Sequence, residues 1–183
     1  MERQLTRTQI GRIILSESHL RTCINKLADQ IKNAYTGCGE VIVLVLLNGA
    51  KRFADDLFER INDDKFKLRY ISVSSYNGNK SIGKVTVQGE ITGLSGCEVL
   101  IADDIYDTGL TLSEVVKIVE KEKPHGIRTC LLLEKQLPHQ RHITIDFKGA
   151  DVPDCFVVGY GLDHDEQFRE LPYIAQYIPP RPN

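Results

Sequence analysis

Leu20, Ile24, Leu27 and Ile31 recur at helical spacing with polar residues between them, which predicts an amphipathic helix. Ser16 or Ser18 offers its N-cap and Gly37 its stop. Val41 to Leu47 is an unbroken apolar run, the pattern of a strand buried on both faces. A second helix is predicted from about Ala50 to Arg60, carrying Phe53, Leu57 and Phe58, and a strand over Leu68 to Val73. The stretch from Tyr76 to Lys84 is rich in Gly, Asn and Lys and reads as a mobile loop. Val85 and Val87 then alternate with polar residues, so 74–90 reads as a hairpin-like flap. Val99 to Ala102 is a further buried strand. Thr111 to Glu122 is a helix with Thr111 and Glu114 at capping-box spacing and Pro124 beyond its end. Thr129 to Leu133 and Phe156 to Val158 are two more apolar strands. Buried strands alternating with helices predict an α/β domain with a mainly parallel sheet. The tail after Ile178 holds three prolines and is read as extended.

The length of 183 residues suits one domain with a sizeable core, carrying a small hood or flap. Charges nearly balance, with 23 basic and 25 acidic residues and a net charge of -2. That excludes the broad basic field of a nucleic-acid binder, yet a pocket for an anion needs only a few donors. The five cysteines match no metal or redox spacing and include no CxxC. Cys130 and Cys155 lie in or beside apolar runs and read as buried free thiols, so a reduced, cytoplasmic compartment is expected. No apolar run is long enough to span a bilayer, and no export signal precedes the first helix.

The segment from Val99 to Thr111 carries the chemistry. A buried strand runs into Asp103 and Asp104, then a polar turn with Asp107, Thr108 and Gly109, then a helix. Ligands of open parallel sheets bind at the carboxyl ends of strands. Backbone N–H groups, two hydroxyls and a helix N-terminus together suit a phosphate monoester, and Gly109 permits close backbone approach. The paired carboxylates suit vicinal sugar hydroxyls or a hydrated magnesium ion. Capping alone explains one or two of these residues. It does not explain three aspartates and two threonines so close together.

This segment resembles the phosphoribosyl pyrophosphate (PRPP) motif of the type I phosphoribosyltransferases, in its hypoxanthine-guanine branch. Val152 to Pro172, containing Val157-Val-Gly-Tyr-Gly-Leu-Asp163, is similar to that branch's purine-binding hood segment. Ser74-Ser-Tyr76 matches the start of the flexible catalytic loop, and Leu47-Asn-Gly-Ala50 the pyrophosphate-contacting loop. The resemblance covers Val41 to Ile178. It implies a single type I phosphoribosyltransferase domain over 1–183, its hood formed by the N- and C-terminal segments. It implies purine salvage: transfer of 5-phosphoribosyl from PRPP to hypoxanthine or guanine, giving IMP or GMP and pyrophosphate, with Mg2+ and usually as a dimer or tetramer.

Residue by residue, the resemblance implies that Asp103 and Asp104 hold the ribose hydroxyls and can reach the metal. Asp107 is the general base at purine N7. Asp107, Thr108, Gly109, Leu110 and Thr111 cradle the 5′-phosphate. Lys135 donates to the 6-oxo group, Phe156 stacks on the base, and Val157 reads its edge through the backbone. Asp163 lies at the purine site and helps hold magnesium. Arg169, Asn48 and Gly49 face the pyrophosphate, while Ser75 and Tyr76 ride on a closing lid. Asn48 stands where the family commonly has lysine, and Asp103 where glutamate is usual.

Taken singly these residues have plainer readings. Lys135 is a surface lysine, Phe156 a core residue, and Asp165 with Arg169 a helical ion pair. Gly78 to Val85 approaches a P-loop but lacks its closing Ser/Thr, and Gly159-Tyr-Gly161 is a lone GxG. The rival function is a non-catalytic PRPP or nucleotide sensor on the same fold.

Overall fold

The computed structural model describes residues 9–75, 85–138 and 143–180. The unbroken run Val41–Leu47 (β2) is central in a six-stranded sheet. On one side of it lie Phe66–Ser75 (β3) and Val85–Gln88 (β4). On the other lie Glu98–Tyr106 (β5), Gly126–Lys135 (β6) and Phe147–Val152 (β7). All neighbours are parallel except β3 and β4, whose antiparallel pairing brings Ser75 opposite Val85. That pairing is the base of the expected flap. Tyr76 and the P-loop-like segment up to Lys84 lie outside the described residues.

Side chains alternate across a strand, so β2 feeds two cores. Val41, Val43 and Val45 pack with helices Glu17–Ala34 (α1) and Ala50–Ile61 (α2). Ile42, Leu44 and Leu46 pack with Leu112, Val115 and Val119 of Leu110–Lys121 (α3). The predicted stripe Leu20, Ile24, Leu27, Ile31 is buried, and the Ser16 side chain accepts from the His19 amide at 3.3 Å as the N-cap. The helix closes at Tyr35 rather than running to Gly37.

A second, three-stranded antiparallel sheet forms the hood from Ile10–Leu15 (β1), Ile174–Tyr177 (β9) and Val157–Val158 (β8). The apolar run at Phe156 to Val158 therefore belongs here and not to the central sheet. It is too short for the long parallel ladder, and its partner Ile174–Tyr177 arrives from further along the chain. All five cysteines are free; Cys130 is buried and Cys155 half-buried. Among the described residues no helix is long and apolar enough to cross a membrane.

Candidate active site

The parallel strands β2, β5 and β6 all end at one edge of the sheet, and the site is built there. β5 continues through Asp103 and Asp104 to Tyr106, so the twin acids sit within the strand rather than in the turn after it. Pairing with β6 extends that far because Ile105 lies opposite Leu133. The Asp104 amide donates to Asp103 Oδ1 at 3.0 Å, and the Ile105 amide donates to Asp104 Oδ1 at 2.8 Å. Burial pushes both carboxyls above the ordinary carboxylate range, and for Asp103 the neighbouring Asp104 adds to the push.

The sign of this shift gives a stability prediction. A folded pKa above the unfolded value contributes stability that is intact below the unfolded value, roughly pH 4, and is lost as pH rises through the folded pKa. Asp103→Asn keeps an acceptor for the Asp104 amide and cannot ionise. Thermal melts should place its Tm about 2–4 °C above the parent at pH 8, the shift that roughly 1 kcal/mol makes in a domain this size. The two should coincide near pH 3.5. A variant no more stable than the parent at pH 8 would contradict the sign.

After Tyr106 the chain turns through Asp107 and Thr108 to Gly109, which takes the left-handed conformation at φ 78° and stands as N-cap of α3. Leu110 opens the helix, one residue earlier than the sequence pattern indicates. The expected Thr111–Glu114 capping box does not form, and Glu114 instead pairs with Lys117 at 2.6 Å. Gly109 has no side chain with which to cap this end, the Thr108 hydroxyl accepts from the Leu110 amide at 3.4 Å, and a cavity of about 230 Å³ lies against it. Asp103, Asp104, Asp107, Thr108, Gly109 and Thr111 all line that cavity, whereas Leu110 does not. A helix mouth with a glycine N-cap, beside two hydroxyls, is a ready anion site.

A second cavity, about 370 Å³, adjoins the first through Asp104 and Asp107. Asn48, Gly49, Lys135, Phe156, Val157, Asp163 and Arg169 line it, residues far apart in sequence. Leu47, Val73, Ile105 and Leu162 complete the wall. These four carry no polar signal that could single them out in the sequence. Lys135 is the last residue of β6 and its ammonium donates to Asp107 Oδ2 at 2.7 Å. It is not a surface lysine: its side chain is only 12% exposed. Phe156 is not core but 51% exposed, with its ring edge-on to His164 and Tyr177.

Arg169 and Asp165 do not form a helical pair, because the chain there is a series of turns. Asp165, Glu166 and Phe168 all have positive φ. Arg169 pairs instead with Asp163 at 2.8 Å and donates to the Gly161 carbonyl at 2.8 Å. The GxG glycines serve this close packing: a Cβ on Gly161 would fall 2.5 Å from the Gly49 carbonyl oxygen. The peptide from Leu47 to Asn48 is cis.

The carboxylates Asp103, Asp104 and Asp163 do not converge on one point, and among the described residues no three His, Cys, Asp or Glu side chains form a metal cluster. Asp104 and Asp163 do share the larger cavity. That arrangement suits magnesium, which takes one or two carboxylates and fills its shell with water and phosphate oxygens. It does not suit an ion caged by protein alone.

The comparisons with known proteins agree with this geometry. Residues 14–165 match the phosphoribosyl transferase domain. The hypoxanthine-guanine phosphoribosyltransferase of Bacillus subtilis (strain 168) is 36% identical over 172 residues, covering 93% of this chain and 94% of that protein. The chain belongs to the hypoxanthine-guanine phosphoribosyltransferase family. Solved structures agree. A hypoxanthine-guanine phosphoribosyltransferase from Bacillus anthracis superposes with a TM-score of 0.84 at 33% identity, covering 93% of this chain and 99% of that one. A hypoxanthine phosphoribosyltransferase from Staphylococcus aureus gives 0.87 at 29% identity and 97% coverage of both chains. The central parallel sheet with its flanking helices is thus the type I phosphoribosyltransferase fold. Within this family member the acids of β5, the α3 mouth and the hood meet around two adjoining cavities.

Proposed function

We propose that this site transfers the 5-phosphoribosyl group of PRPP to hypoxanthine or guanine, releasing pyrophosphate, as the names of the relatives suggest. One observation carries the purine assignment. Asp107 and Lys135 present an acceptor and a donor 2.7 Å apart, at the floor of a cavity walled by the exposed ring of Phe156. A 6-oxopurine carries N7 and O6 side by side on one edge. With a proton on N7, that edge is donor then acceptor, the complement of the Asp107–Lys135 pair. Adenine presents an amine at position 6 and would leave the ammonium facing a donor.

On this reading the 5′-phosphate sits at the α3 mouth with Thr108, Gly109 and Thr111, and the ribose hydroxyls donate to Asp103 and Asp104. The bond from ribose C1 to pyrophosphate breaks, the bond to purine N9 forms, and the N7 proton passes to Asp107. Phe156 and the Val157 backbone hold the base in plane, and Arg169 with Asn48 and Gly49 faces the leaving group. Asp104 and Asp163, with Asp103 beside them, would hold magnesium, which when bound offsets charge on the departing pyrophosphate. Ser75 ends β3 at the base of the flap, where a lid would exclude water from the developing cation. Five free thiols suit a reducing cytoplasm.

The test is pyrophosphate release from PRPP and magnesium with hypoxanthine, guanine, xanthine and adenine in turn. Turnover with 6-oxopurines and not with adenine is expected. Tight nucleotide binding without release would turn the reading to a sensor. Within the same assay, Lys135→Ala should cut kcat/KM for hypoxanthine about 30-fold while leaving PRPP binding within about twofold, the scale of one charged hydrogen bond. Equal losses toward both substrates would contradict the purine role.

A further inference from the structure

Arg52 lies on the first turn of α2 and lines neither of the two site cavities. It borders a separate small cavity with Asp56, Arg60 and Tyr160. Its Nη1 donates to three consecutive backbone carbonyls, those of Arg169 at 3.1 Å, Glu170 at 3.1 Å and Leu171 at 3.0 Å. Its guanidinium carbon lies 4.6 Å from the centre of the Tyr160 ring, and the Tyr160 hydroxyl donates to Asp56 one turn further along α2.

Three carbonyl oxygens converging on one point make a negative nest that favours a cation. The same carbonyls also brace the turn internally: the Gly161 amide donates to Arg169 O and the Tyr160 amide to Leu171 O, both at 2.9 Å. The turn held in this way carries Arg169 and Asp163, whose 2.8 Å pair faces the larger cavity. On the other side Arg52 is fixed to the helix that begins directly after Asn48 and Gly49. One side chain thus joins the two backbone segments that flank the leaving-group end of the cavity.

We propose that Arg52 is a positioning residue that holds the Arg169–Asp163 turn against the Asn48–Gly49 turn, and so sets the site's grip on pyrophosphate. The inference rests on the phosphoribosyl-transfer reading above. It also makes a specific chemical demand. All three contacts fall on one nitrogen, which shares two hydrogens among them, so a lysine ammonium, with three donors on one atom and a charge that can also lie against the Tyr160 ring, can take its place. The planar fork of arginine is not what the nest requires.

The experiment is steady-state kinetics of the parent, Arg52→Ala, Arg52→Gln and Arg52→Lys with each substrate varied, together with melting temperatures and calorimetric binding of magnesium pyrophosphate. Arg52→Ala and Arg52→Gln should raise KM for PRPP about tenfold or more, the order of loss from small misplacement of binding groups. KM for hypoxanthine should stay within about twofold, and Arg52→Lys should return the PRPP value to within about threefold of the parent. Folded variants with parent-like KM for PRPP overturn the proposal, as does a parallel rise in both KM values or a failure of lysine to rescue. If the alanine variant does not fold, glutamine against lysine decides, since both keep the stem. A parent without turnover would overturn the transferase reading alone. Magnesium pyrophosphate binding, expected about tenfold weaker in Arg52→Gln than in the parent and in Arg52→Lys, would then decide on Arg52.

Discussion

Asp107→Asn is expected to bind PRPP as the parent does and to turn over about 10²-fold or more slowly, the scale of losing a general base. The substitution is nearly isosteric. An asparagine oxygen can still accept from Lys135, so the contact at 2.7 Å has a neutral substitute and the wall of both cavities keeps its shape. What disappears, on the proposed reaction, is the capacity to take the N7 proton. The loss should therefore appear in kcat with little change in KM for PRPP, the signature of an interaction that matters in the transition state. Single-turnover chemistry measured beside PRPP binding checks this. Parent-like turnover in Asp107→Asn removes the carboxylate from the base role.

Gly49→Ala should be nearly as damaging for a different reason. Gly49 has φ -61° and ψ -42°, a conformation any residue adopts, so backbone strain plays no part. The obstacle is Asp104: a Cβ on Gly49 would overlap its carboxylate. Asp104 is a short side chain, and it can swing aside more cheaply than either backbone can move. Stability should then fall by only about 1–2 kcal/mol, at the lower end of overpacking costs. The displaced carboxylate, however, would lose the ribose contacts proposed for it, and charged hydrogen bonds are worth about 1.5–3 kcal/mol each. We expect kcat/KM for PRPP to drop by about 10²-fold while the melting point moves only a few degrees. A parent-like kcat/KM for PRPP in the folded variant would show that Asp104 tolerates displacement.

The elements most legible in the sequence are those whose signal is local. Val41–Leu47 reads as a doubly buried strand because nothing polar interrupts it, and α1 because its stripe and its cap agree. The hood was less legible. Ile10–Leu15 and Ile174–Tyr177 are half-exposed or short, and they become strands only by pairing with each other across the length of the chain. The start of α3 is masked in the sequence because Thr111 and Glu114 have capping chemistry, yet Gly109, free to adopt positive φ, reaches the N-cap position first.

The site divides in the same way. The segment from Asp103 to Thr111 is contiguous, so its polar density stands out. Lys135, Phe156, Asp163 and Arg169 each have an ordinary explanation in isolation, and it is their common cavity that sets them apart. Arg52 could not be singled out at all. Its partners are backbone carbonyls, which leave no mark on the sequence.

One dimension of this protein is fixed by its architecture. The turn after β2 is tied to α2 on one face of the sheet, while the turn after β5 is tied to α3 on the other. The two strands are immediate neighbours, paired as far as Val45 and Ala102, so up to that point their spacing is a single rung of the ladder, about 4.8 Å. Side-chain replacement cannot widen that gauge. Attempts to admit bulkier acceptors should leave this end of the molecule alone and remodel the hood, whose short ribbons and consecutive turns can change length without breaking the six-stranded frame.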